Sequence, residues 1–87
     1  MPYNLPLVPR RLASQGWKVK IRDRERLEPP HITVIFGPHS WRIGLREHDL
    51  MDGGRWSEID EGVLACIRAQ WEVLCAQWNL MYPDNPV

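Results

Sequence analysis

The sequence predicts one α+β domain with element order α-β-β-β-α, in which a three-stranded antiparallel sheet is packed on one face by helices. Three observations carry this. Residues 17–22 and 41–46 alternate apolar and polar side chains, and residues 31–36 are rich in β-branched ones; both patterns mark half-buried strands. Residues 57–80 repeat apolar side chains at helical spacing. A length of 87 residues, 44% of them hydrophobic and five of them tryptophan, is enough for one small core.

Taken in order, residues 1–8 contain Pro2 and Pro6 and read as an extended arm. Residues 9–16 form a short helix. Pro9 suits its first turn, where a missing N–H costs nothing, and Gly16 is a natural left-handed terminator. The three strands follow. Residues 37–40 (Gly-Pro-His-Ser) are a short link that favours an antiparallel hairpin. The charged loop from Asp23 to Pro30 is longer. Residues 47–56 connect to the last helix through Gly53-Gly54. In that helix Ser57 can cap, Asp60 stands three positions later, and Glu58, Asp60 and Glu61 face the positive end of the dipole. Ile59, Val63, Cys66, Ile67, Trp71, Leu74 and Trp78 form its apolar stripe, and Pro83 prevents continuation.

Alternation sorts the strand residues onto two faces. Trp17, Val19, Ile21, Ile32, Val34, Phe36, Trp41, Ile43 and Leu45 make one face wholly apolar, and the last helix is its natural cover. Lys18, Lys20, Arg22, His31, Thr33, Ile35, Arg42, Gly44 and Arg46 make the other, which has five fixed cations and no acid.

The formal net charge is zero, but residues 1–46 hold nine Lys/Arg against three acids and residues 47–87 hold two Arg against eight acids. A basic, acid-free sheet face is what phosphate binding requires, because Lys and Arg release counterions when they meet a polyanion. Lys18, Lys20, Arg22, Arg42 and Arg46 are the candidate phosphate contacts, and Thr33 can add a hydrogen bond. The same face would also suit an acidic protein partner. An ordinary solvated face is the plain alternative.

His31 heads the middle strand on that face and is the candidate catalytic residue. An imidazole there can move a proton during cleavage of RNA by its own 2′-hydroxyl. A surface or hydrogen-bonded histidine without chemistry is the competing reading. His39 reads as a turn residue, and His48 lies between Glu47 and Asp49 in a loop.

Three scattered histidines and two cysteines match no zinc spacing, and no phosphate-binding glycine loop appears. No metal or cofactor is expected. Cys66 and Cys75 are nine positions apart. On one helix that is about 13 Å along the axis, beyond the reach of about 7 Å that a disulfide allows. No apolar run approaches the roughly 18 residues of a membrane span. The N-terminus also lacks a signal-peptide pattern, so a cytoplasmic protein is expected. If the helix stripe is wider than the sheet can cover, Trp78 and Tyr82 supply a homodimer contact through the C-terminal helix.

The run Arg11-Leu12-Ala13-Ser14-Gln15-Gly16-Trp17-Lys18-Val19, followed by three strands and a helix, resembles the opening of the small bacterial HicA mRNA-interferase toxins. That resemblance implies a double-stranded-RNA-binding-like fold and a catalytic histidine at the head of the second strand. His31 occupies that position, with Pro29-Pro30 where those toxins carry Gly-Ser/Thr. Glu28-Pro29-Pro30-His31-Ile32-Thr33-Val34 is also similar to the Glu-Pro-Pro-His-Val motif of a family of short bacterial proteins of unknown function. Some members of that family are discussed as toxin–antitoxin components. Two functional readings follow. One is a small RNA-binding domain, in its specific form a HicA-like ribonuclease toxin. The other is a non-catalytic protein-interaction or self-associating domain.

Overall fold

The computed structural model describes residues 3–4, 8–22 and 27–87. It is an α+β fold built on three antiparallel strands, β2 (Trp17–Ile21), β3 (His31–Phe36) and β4 (His39–Gly44). A two-residue edge strand, β1 (Tyr3–Asn4), is added beside β2, pairing Tyr3 with Ile21 and Asn4 with Lys20. The sheet order is β1-β2-β3-β4. Part of the expected extended arm is therefore a sheet edge. Residues 1–2, 5–7 and 23–26, and with them part of the arm and of the first long loop, lie outside the described residues.

Helix α1 (Arg10–Gln15) follows Pro9, whose carbonyl accepts from the N–H groups of Leu12 and Ala13 at 2.9 Å. It ends at Gly16, whose φ of 107° is the left-handed conformation that only glycine adopts freely. Leu12 is its one fully buried residue.

The β3–β4 hairpin turns on two residues, Gly37 and Pro38, with Phe36 opposite His39. Gly37 has φ 59°, which fits the first central position of a type II′ turn. β4 consequently starts and ends two residues earlier than its alternation suggests, and Arg46 lies beyond the sheet. The chain then turns back and pairs along β4. The Gly44 N–H donates to the Asp49 carbonyl, the Met51 N–H donates to the Arg42 carbonyl, and Ile43 bridges Leu50.

The apolar face is as the alternation predicts. Trp17, Val19, Ile21, Ile32, Val34, Ile43 and Leu45 are buried, and Phe36 and Trp41 are half-buried against them. Trp17 stacks on Phe36 and Trp41 at centroid distances of 4.3 and 5.9 Å. Burial of each such side chain stabilises by about 1.5–3 kcal/mol.

The expected single helix over residues 57–80 is instead three pieces: a 3₁₀ turn (Trp56–Glu58), α2 (Glu61–Ala69) and α3 (Trp71–Met81). The cap is Asp60, whose carboxylate accepts from the Gly62 N–H at 2.7 Å, rather than Ser57. Gln70 breaks the helix at φ −116°, ψ 21°. Its side-chain amide turns back to the Cys66 carbonyl and sulfur, 3.4 and 3.0 Å away. The break coincides with Trp71 packing tilted against the His48 ring, 4.4 Å between centroids. Val63, Leu64, Ile67, Leu74 and Trp78 still reach the core, because the apolar phase is nearly the same on both sides of the break. Helix α2 comes close to α1: a Cβ at Gly62 would stand 2.9 Å from Leu12 Cδ1, so only glycine fits there without displacing that side chain. No helix among the described residues is long and apolar enough to cross a membrane.

Candidate nucleic-acid interface

Pairing fixes the rows of the second sheet face. Lys18, Ile35 and Ser40 form one row, and Lys20, Thr33 and Arg42 the next; His31 stands opposite Gly44 beyond them. The first row is open, with Lys18 and Ser40 exposed and Ile35 half-buried. Towards the other end the face closes. Thr33 is 2% exposed and His31 1%.

Arg42 does not present its charge to solvent. Its Nε and Nη2 grip both carboxylate oxygens of Asp52, the Nη2 bond measuring 2.5 Å, while Nη1 donates to Glu28 Oε2 at 2.6 Å. This two-pronged geometry is the strong form of an arginine–carboxylate pair. The hydrogen bond from Arg42 holds the Asp52 carboxyl below the usual carboxylate range, against a smaller opposing effect of burial. The sequence reading sets Arg42 on an acid-free face, and this is corrected. The two acids come from outside the strands, one from the loop before β3 and one from the return along β4.

His31 is corrected in the same way. Its Nδ1 lies 2.9 Å from the Pro29 carbonyl oxygen, and a carbonyl can only accept, so Nδ1 carries the hydrogen. Nε2 faces Glu28 Oε2 at 3.7 Å. The ring packs 5.5 Å from the Trp78 indole. The alternation gives the strand parity correctly but not what covers the end of the strand.

The C-terminal segment, whose path no local pattern marks, bonds to the chain near that end. Tyr82 Oη donates to the Arg22 carbonyl. Asn85 Nδ2 donates to the Glu28 carbonyl at 2.7 Å, and Trp78 Nε1 donates to the Asn85 carbonyl at 2.7 Å. Arg46, expected as a phosphate contact, donates instead to the Pro86 carbonyl at 2.5 Å. Trp78 and Tyr82, expected as a dimer contact, are buried inside their own chain at 0% and 6% exposure.

Of the predicted contacts, Lys18, Lys20 and Arg22 remain. Lys18 and Arg22 are exposed and Lys20 is half-buried. Residues 8–22 contain no acid. None of the three makes an ion pair among the described residues. Alternate positions of a strand are about 6.6 Å apart, so Lys18 and Lys20 follow one another on one face of β2, and Arg22 comes directly after the strand's last residue, Ile21.

A second feature lies on the apolar side. A groove of about 800 Å³ runs between β4 and the α2–α3 elbow, lined among others by Ile43, His48, Trp56, Leu64, Ile67 and Trp71. His48 is held there with φ 57°, a conformation histidine tolerates better than bulkier residues. Trp56 and Val73 stand at the groove 40% and 50% exposed. Neither His48 nor Trp56 is marked by spacing, because the contact depends on the break at Gln70. Among the described residues no group of three or more His, Cys, Asp or Glu is placed to hold a metal ion. Compared with known proteins, the chain matches no family model, no curated protein and no solved structure.

Proposed function

We propose that this domain binds the phosphate backbone of an RNA strand along β2 and acts as a binding domain rather than a nuclease. The observation that carries the reading is the set of Lys18 and Lys20 on β2 with Arg22 just beyond it, within a stretch of fifteen residues (8–22) that holds no acid. Cations free to meet phosphates supply the electrostatic part of single-strand binding, through counterion release. The enclosure of His31 supports leaving catalysis out, because a general acid or base must come within hydrogen-bond reach of its substrate. The ion pairs of Arg42 support treating it as structural.

The test is a titration of single-stranded RNA with wild type and with Lys18→Gln/Lys20→Gln/Arg22→Gln. All three substitutions lie outside the core, so folding is checked simply by circular dichroism. The triple variant is expected to lose at least about tenfold in affinity at low salt. Equal affinity of the two proteins would overturn the reading, as would RNA cleavage that disappears in His31→Gln.

A further inference from the structure

Arg68 and Glu72 are four residues apart, the spacing at which opposite charges on one continuous helix pair with each other. Here they do not. The break at Gln70 separates them, and neither makes an ion pair among the described residues. Both are exposed and both line the groove. Between them stands Trp71, and beside them Trp56 and Val73 leave apolar surface open to water.

We propose that this groove is a self-complementary interface that takes a second copy of the chain, with Arg68 of each copy meeting Glu72 of the other. A two-fold axis passing beside Gln70 exchanges the two charges, which is the condition for an isologous contact. Two reciprocal ion pairs then flank a centre made of both copies' Trp71 and Val73. This is the anatomy of an interface with an apolar middle and a charged rim. A second copy is favoured over an unrelated partner because the rim carries one charge of each sign, arranged so that the surface is its own complement. The inference is independent of the RNA reading, which uses Lys18, Lys20 and Arg22.

Sedimentation equilibrium tests it with surface variants that leave the core intact. Wild type is expected to dimerise. Arg68→Glu and Glu72→Arg are each expected to weaken dimerisation about tenfold, because each change places like charges together twice. Mixing the two variants, or combining both changes in one chain, restores association. Val73→Asp abolishes it. A wild type that stays monomeric up to about 1 mM overturns the proposal. So does a dimer indifferent to Arg68→Glu, and so does failure of the charge exchange to restore association.

Discussion

The imidazole of His31 and the indole of Trp78 lie 5.5 Å apart, centroid to centroid, each no more than 1% exposed. The residue that most resembles a catalyst in the sequence is thereby part of the wall between β3 and α3. Its Nδ1–H is directed at the Pro29 carbonyl, so the ring also fixes the chain as it enters β3.

A packing role predicts that His31→Ala costs about 2 kcal/mol of stability, through a cavity and a lost hydrogen bond. Trp78→Ala is expected to cost about 3–5 kcal/mol. Urea denaturation measures both. RNA affinity per folded molecule should be unchanged in His31→Ala.

The Arg42–Asp52 pair predicts a defined pH dependence. Hydrogen bonding to Arg42 lowers the Asp52 pKa from its ordinary value of 3.8. Stability from a lowered carboxylate pKa is present above the unfolded-state value and is lost as pH falls through the folded-state value. Asp52→Asn should therefore be less stable than wild type near neutrality, and the gap should close below about pH 4. Because Asp52 is half exposed and screened, the gap is expected to be at most about 1 kcal/mol. Thermal melts at pH 3 and pH 7 measure it.

Cys66 and Cys75 are half-buried, and burial raises both thiol pKa values; nearby Glu72 adds to the effect at Cys75. Only the thiolate reacts as a nucleophile. Both thiols should be alkylated more slowly than a model thiol at pH 8, and at ordinary rates once the chain is unfolded. Time-resolved mass spectrometry with iodoacetamide reads each site separately.

Much of the fold is visible in the residues because period-2 alternation carries it. The seven apolar residues from Trp17 to Leu45 that are buried all fall on the face the alternation marks, but His31 and Thr33 are buried on the other face, which alternation alone does not foretell. The helix break is invisible, because Gln70 is neither Gly nor Pro and the stripe through Val63, Ile67, Leu74 and Trp78 suits an unbroken helix equally well. The candidate site is half visible. Strand parity puts Lys18, Lys20 and Arg42 on one side, as observed. That Arg42 is neutralised depends on Glu28 and Asp52, which are 14 and 10 positions away, and that Arg46 is tied down depends on Pro86, 40 positions away. Local pattern carries no information about such loop and tail paths.

The most direct measurement is the slope of log K against log salt for single-stranded RNA. Each phosphate contact contributes about −0.7, so three contacts at Lys18, Lys20 and Arg22 predict a slope of about −2, while the five cations of the full sheet face would give about −3.5. A slope near −2 that vanishes in Lys18→Gln/Lys20→Gln/Arg22→Gln is the expected result. No binding, or a slope that this triple variant leaves unchanged, would contradict a phosphate contact on β2.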